Sequence, residues 1–317
     1  MINISPPLAN YNISDSFFQI NKLAHFPIFL KIEGWNMAGS IKAKPALKII
    51  NELEKQGKIS AESKIIESSS GNFGIALSVI AAERNYKFIC VTDPNSSKDS
   101  IAFMRALGTE IIVVSERDEN GGFLGTRIKK IKELCQENHN LIWLNQYANP
   151  NNFLAHYEKT AAEILNKYPK VDYLFIGAGT TGTMMGCALH FRKYSPHTKI
   201  IAVDADGSVT FGHPSKKRLI PGLGTSLKPE IADVGIVDDH VLVPEIKTIE
   251  ICRLMARRGF LCGGSTGTVL AGIVAFSKHI LPSQSVVTIA PDLGNKYLHT
   301  IYDDEWVSNN FPDYKFN

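Results

Sequence analysis

The sequence has no C-x-x-C pair, no block of like charge, and no stretch near the roughly 18 consecutive apolar residues that a spanning helix needs. Each lack excludes something. The five cysteines, Cys90, Cys135, Cys187, Cys252 and Cys262, are scattered and odd in number. That argues against a disulfide framework or a cysteine-bound zinc, and it fits a reducing cytoplasm. Residues 1–10 lack a basic start followed by an apolar run, so no secretory signal is expected. A formal charge of +3 over 317 residues is too mild for a nucleic-acid binder. No metal, nucleic-acid or membrane partner is expected, and there is no repeat or low-complexity segment.

What remains is an ordinary globular composition, 44% apolar and 21% charged, with ample material for a large core. Periodicity and turn residues predict a strand over 26–33 and a helix over 42–57. Strands at 64–68, 88–92, 110–114, 142–144, 173–176 and 199–204 then alternate with helices at 72–84, 98–107, 124–136, 153–168 and 183–194. After an irregular polar stretch, 207–230, come helices at 246–258 and 267–279, a strand at 286–289 and a short helix near Lys296. Residues 1–25 read as an arm with one short helix. Strand–helix alternation predicts an α/β fold with parallel sheets covered on both faces. Two open, twisted sheets with a site in the cleft between them is the expected architecture, because ligands gather at strand C-termini.

Four polar stretches at element ends carry the chemistry. Asn36–Pro45 sets Lys42 where a small turn meets a helix. Near a helix start the macrodipole disfavours a cation, and a lysine that is less stable as a cation can serve as nucleophile or base. Residues 68–74, Ser-Ser-Ser-Gly-Asn-Phe-Gly, join a strand to a helix and offer more hydroxyls than one helix cap needs, so an anion or carboxylate seat is expected there. Residues 177–183, Gly-Ala-Gly-Thr-Thr-Gly-Thr, lack both the Walker and the dinucleotide spacing. Their glycines and hydroxyls suit a phosphate monoester. Residues 262–268, Cys-Gly-Gly-Ser-Thr-Gly-Thr, open another helix, and Ser265 could offer a hydroxyl to a ring nitrogen.

These four stretches, in this order from about Phe26 to Leu298, resemble the fold-type II pyridoxal-phosphate enzymes, the family of cysteine synthase and cystathionine β-synthase. The resemblance implies that pyridoxal 5'-phosphate forms a Schiff base with Lys42, which would also be the base for the Cα proton. It implies that Asn72 bonds the ring hydroxyl, that Gly179, Thr180, Thr181, Gly182 and Thr183 hold the phosphate, and that Ser265 faces the pyridine nitrogen. Ser69, Ser70, Asn72 and Gln146 would take the substrate carboxylate. Residues 1–42 with 146–317 would form a large cofactor-binding domain, and 43–145 a small domain that closes over substrate. A cytoplasmic homodimer is implied as well.

Residues 67–74, 118–127, 143–149, 203–212 and 221–226 further resemble the branch that makes 2,3-diaminopropionate for siderophore biosynthesis. That branch joins O-phospho-L-serine to the amine of L-glutamate by β-replacement through a bound aminoacrylate. Arg127, whose guanidinium fork matches phosphate, is then expected to hold the donor phosphate, and Tyr147 to shape the acceptor pocket. A cysteine synthase using O-acetyl-L-serine or O-phospho-L-serine with sulfide, and a serine/threonine dehydratase, remain as alternatives. The family's N-P-x-x-S-x-K-D-R reads Asn36-Met37-Ala38-Gly39-Ser40-Ile41-Lys42-Ala43-Lys44 here, without the proline and the acid–arginine pair.

Overall fold

Runs such as Tyr-Leu-Phe-Ile-Gly at 173–177 are apolar throughout, and strands of that kind need cover on both faces. The computed structural model describes residues 16–316 apart from 61 and 120. The chain runs β1 (Phe17–Ile20), β2 (Ile28–Ile32), α1 (Ala43–Lys55), β3 (Lys64–Ser68), α2 (Asn72–Arg84), β4 (Lys87–Thr92), α3 (Lys98–Ala106), β5 (Glu110–Val113), α4 (Leu124–Glu137) and β6 (Leu141–Trp143). It continues with α5 (Asn151–Ala155), a π turn (His156–Thr160), α6 (Ala161–Lys167), β7 (Tyr173–Gly177), α7 (Gly182–Tyr194), β8 (Lys199–Ala205) and β9 (Asp239–Val243). The last elements are α8 (Glu245–Arg257), α9 (Gly264–Phe276), β10 (Val286–Ala290) and α10 (Asp304–Asn310).

The strands form two sheets. One has six strands in the order β1-β2-β10-β7-β8-β9, the other four in the order β5-β4-β3-β6. All pairings are parallel except β1 on β2. This is the expected α/β fold with parallel sheets. Alternation along the strands divides each core in two. In the larger sheet Phe175, Ile201 and Val203 face Ile249, Leu270 and Ile273 of α8 and α9, while Leu174, Ile176 and Ile200 face Ile164, Ala188 and Phe191 of α6 and α7. In the smaller sheet Ile65, Phe88 and Cys90 pack on Ile49 and Ile80 of α1 and α2, and Ile66, Ile89 and Val91 pack on Ile131 of α4.

Four expectations need correction or limits. Phe17–Ile20 is an edge strand, not part of a helical arm, and the rest of that arm, residues 1–15, lies outside the described residues. β9 and α10 were not expected: β9 is a half-exposed edge strand with a weak apolar run. The single helix expected over 153–168 is broken by the π turn. The helix expected at 267–279 begins three residues earlier, at Gly264.

The π turn lies against α7, where a Cβ on Gly186 would come 2.2 Å from the Phe153 carbonyl oxygen and 2.7 Å from the Tyr157 nitrogen. Backbone atoms cannot yield as a flexible side chain does, so the two helices would have to separate. Gly186→Ala is expected to cost about 2–3 kcal/mol, typical of overpacking, read as a lower urea midpoint; an unchanged midpoint would show that this approach carries no constraint.

Candidate active site

The Lys42 turn is held by its own polar groups. The Asn36 side chain donates to the carbonyls of Glu33 (2.9 Å) and Ser40 (2.8 Å) and accepts from the Ala38 N–H at 3.0 Å. The Ile41 N–H donates to the Pro291 carbonyl at 2.7 Å, which fastens the turn to the end of β10. Lys42 occupies the cap position of α1. Burial lowers its pKa from 10.5 to about 8. Desolvation, not the helix dipole, is the cause. The amine donates to Thr180 Oγ1 at 3.3 Å, across the cleft in the loop between β7 and α7.

The features of that loop suit an anion. Thr181 has φ +63, a left-handed backbone that a β-branched residue adopts only under constraint, and such strain clusters at ligand sites. Its hydroxyl is buried with no hydrogen-bond partner among the described residues. Thr180 Oγ1 accepts from Lys42 and from Asn152 Nδ2 (3.2 Å), which leaves its own proton to donate. Gly182 and Thr183 begin α7, whose first N–H groups have no intrahelical partner. Gly179 lets the loop lie close to residues 221–224: a Cβ there would stand 2.6 Å from the Gly222 carbonyl oxygen. Thr183 Oγ1 is 3.3 Å from His156 Nε2 in the π turn.

Asn72 opens α2 and is held from both ends. Its Nδ2 donates to Asp292 Oδ2 at 2.7 Å, and its Oδ1 accepts from Lys296 at 2.6 Å. Tyr297 donates to the same Asp292 oxygen at 2.9 Å. Burial pushes the Asp292 pKa up and the Lys296 pKa down, and the pair's mutual attraction opposes both shifts. Sequence reasoning missed Asp292 and Lys296, which lie about 220 residues from Asn72. Ser265, buried in the first turn of α9, makes no hydrogen bond among the described residues and lines the same cavity.

The serine loop divides its roles. Ser69 Oγ accepts from the N–H groups of Gly71 (3.2 Å) and Gly74 (2.9 Å), so it holds the start of α2. Ser70 stays half-exposed on the cavity wall. Gln146 is buried and donates to the Ser68 carbonyl at 2.8 Å, and its own N–H donates to Glu67 at 3.2 Å. Burial raises the Glu67 pKa to about 7, against the pull of those backbone donors and Arg127. Arg127 is buried, with Nε 3.4 Å from Asp93 Oδ2, and its Nε and NH1 lack hydrogen-bond partners. Tyr147 lies near it, its pKa raised by burial and pulled back by the Arg127 charge.

All thirteen residues singled out from the sequence line one cavity of about 490 Å³ between the sheets. Its wall carries Lys42, Arg117, Arg127, Lys216, Lys217, Arg218 and Lys296 against one carboxylate, Asp93. Such a cleft focuses positive potential and draws anionic ligands. Among the described residues no group of three or more His, Cys, Asp or Glu could hold a metal, and no helix is long and apolar enough to cross a membrane. With the cofactor removed, acylation of the Lys42 amine by a small neutral reagent, mapped by peptide mass spectrometry, is expected to titrate near pH 8; a half-point above 10 would show that burial does not depress it.

The family model described as pyridoxal-phosphate dependent enzyme matches residues 16–292. A relative from Cupriavidus metallidurans named N-(2-amino-2-carboxyethyl)-L-glutamate synthase is 39% identical over 287 residues, 89% of this chain and 84% of that one. A structure of O-ureido-L-serine synthase superimposes with TM-score 0.88 at 25% identity, over 97% of this chain and 98% of that one. The O-acetylserine-dependent cystathionine β-synthase of Helicobacter pylori does so with TM-score 0.86 at 27% identity, over 95% and 100%. The chain therefore belongs to the pyridoxal-phosphate-dependent enzymes of fold type II, in the cysteine synthase-like group that carries out β-replacement.

Proposed function

We propose that the enzyme transfers the three-carbon amino-acid unit of O-phospho-L-serine to the amine of L-glutamate, giving N-(2-amino-2-carboxyethyl)-L-glutamate and inorganic phosphate. The observation that carries this reading is Arg127: a buried guanidinium in the cavity wall whose NH1 lacks a hydrogen-bond partner and whose Nε meets the Asp93 carboxylate only at 3.4 Å. Burying such a group is costly unless an acceptor arrives. A leaving phosphate dianion supplies one, and glutamate brings a second carboxylate to a cavity lined by cations. The relative of the same name adds weight.

The residues fit pyridoxal phosphate. The unpartnered Thr181 hydroxyl, the start of α7 and the doubly donated Thr180 suit its phosphate, with Gly179, Gly182 and Thr183 completing the seat. Asn72, locked by Asp292 and Lys296, would bond the ring hydroxyl, and the free Ser265 hydroxyl would meet the ring nitrogen. When bound, the cofactor supplies an electron sink for charge developing at the substrate Cα.

The chain's own groups do the rest. Lys42 would hold the cofactor, and its amine would move the Cα proton; burial, which lowers its pKa to about 8, favours the unprotonated form that such a base needs. Ser70, the Asn72 N–H and Gln146 hold the substrate carboxylate, and Ser69 keeps the start of α2 in place for them. Phosphate leaves Cβ with the electron pair of the C–O bond, drawn by Arg127. The glutamate nitrogen then bonds to Cβ and loses a proton, and Lys42 returns a proton to Cα. Tyr147 borders the acceptor side of Arg127. We include in the proposal that residues 43–145 close on the remainder and exclude water between the half-reactions, and that the enzyme is a cytoplasmic homodimer.

Asp93, beside Arg127, offsets part of its charge and favours a second reading: an O-acetyl-L-serine donor with sulfide as acceptor, as the name of the H. pylori neighbour suggests for the donor. Purified enzyme given each donor with glutamate, sulfide or no acceptor, read by product mass and phosphate release, separates the readings. Phosphoserine with glutamate is expected to dominate; efficient sulfide use without glutamate use would make it a cysteine synthase, and keto acid without acceptor a dehydratase. Arg127→Ala is expected to lower kcat/KM for O-phospho-L-serine by about 10–100-fold, the worth of a hydrogen bond to a charged group. O-acetyl-L-serine should lose about threefold or less by the same reasoning, and equal losses would remove the phosphate role.

A further inference from the structure

Beneath the loop between β7 and α7 lies a buried ionic square. Lys31, next to the C-terminal end of β2 and fully buried, contacts Glu33 Oε1 at 3.0 Å and Glu163 Oε2 at 2.9 Å. Lys44, in the first turn of α1, contacts the same two oxygens at 2.7 and 2.6 Å. Two cations and two anions alternate, so the square is neutral overall, as burial demands. A lysine has one compact head with three donors. Two of those donors go to the carboxylates. The third goes to Thr160 Oγ1 at 3.4 Å.

That third bond has a direction. An ammonium has no lone pair, so Thr160 Oγ1 must accept from Lys44, and its own proton turns to its other partner, His156 Nδ1, at 3.0 Å. Both residues are fully buried, and the π turn sets them four residues apart on one face. With Nδ1 accepting, a neutral imidazole carries its proton on Nε2. The imidazole is neutral: burial, and then the charges of Lys42 and Lys44, hold the His156 pKa well below its usual value. Nε2–H then donates to Thr183 Oγ1, 3.3 Å away, and the Thr183 hydroxyl proton is left to point into the seat formed by residues 179–183. Were the chain of bonds reversed, Thr183 would donate to the imidazole and present only lone pairs to an anion.

We propose that Lys44, through Thr160 and His156, sets the polarity of the Thr183 hydroxyl so that it donates to the phosphate of the cofactor. The three are positioning residues: none lines the cavity, and they act through Thr183. What they transmit is hydrogen-bond direction, with the square keeping Lys44 charged; the attraction of Glu33 and Glu163 raises the Lys44 pKa despite its burial. The inference rests on the reading that residues 179–183 seat the cofactor phosphate.

Dissociation constants of the full-length protein for pyridoxal phosphate and for pyridoxal, which lacks the phosphate, test it. Thr160→Val, which removes the hydroxyl and leaves the ionic square whole, is expected to weaken pyridoxal phosphate binding about tenfold, in the range of a hydrogen bond to a charged group. Pyridoxal binding should not change, and Thr160→Ser should retain wild-type affinity for both. Thr183→Ala should also weaken pyridoxal phosphate, and adding Thr160→Val to it should bring no further loss, since the two act in series. Should Thr160→Val fail to fold, His156→Leu carries the same comparison. Equal weakening for both ligands, losses that add in the double variant, or Thr160→Val without effect while Thr183→Ala weakens binding, would each overturn the relay alone. Thr183→Ala binding pyridoxal phosphate as tightly as wild type would overturn the phosphate seat itself, and the relay with it.

Discussion

Lys42 and Lys44 stand two residues apart and are driven in opposite directions by their surroundings. Both are taken out of water at the start of α1. Lys44 meets Glu33 and Glu163, and its pKa rises. Lys42 meets a threonine hydroxyl and no carboxylate, and its pKa falls to about 8. A buried amine is useful for catalysis only when no fixed anion neutralises it. The structure meets this constraint by engaging each nearby acid elsewhere: Glu33 and Glu163 with Lys31 and Lys44, and Asp292 with Asn72, Tyr297 and Lys296. The placement of acids around Lys42 is therefore as much a part of the site as the lysine.

The anion seats follow a complementary rule. On the proposed reading the β7–α7 loop would meet the cofactor phosphate with hydroxyls and helix N–H groups and not with an arginine; the Thr180 hydroxyl, which accepts from Lys42 and Asn152, keeps its proton to donate. Arg127, also in the cavity wall, is a guanidinium beside Asp93 whose buried NH1 lacks a hydrogen-bond partner. A resident cofactor needs a seat of fixed geometry, whereas a leaving group needs a charge that attracts it as it departs; directional neutral donors suit the first and a guanidinium the second. Both seats lie at the C-terminal ends of parallel strands, where the connecting loops of the two sheets converge.

The motifs at 36–45, 68–74, 177–183 and 262–268 were legible because each joins an unusual density of small and hydroxyl residues to a helix start. The strand–helix rhythm was legible because central parallel strands are apolar on both faces. The edge strands β5 and β6 fell in that rhythm, whereas β1 and β9 stand outside it and escaped. Ser69, expected beside a carboxylate, accepts from the Gly71 and Gly74 N–H groups at the start of α2, a local role that its place in the serine run does not announce. Asp292 and Lys296 had no signal at all, since neither stands in a motif and Asn72 is about 220 residues away. The π turn was equally hidden: its sequence reads as uninterrupted helix, and the extra residue per turn follows from packing against α7 at Gly186.

By itself the sequence determined the α/β class, the order of strands and helices through most of the chain, and the side chains able to act, because these depend on local period, turn chemistry and residue type. The tertiary structure decided what state those side chains are in. That the Lys42 ammonium gives up its proton more readily while Lys44 is a firm cation, and that Arg127 is buried beside Asp93, depend on which groups from distant parts of the chain share a low-dielectric space. Desolvation and hydrogen-bond direction are properties of the packed interior, and no spacing along the chain encodes them.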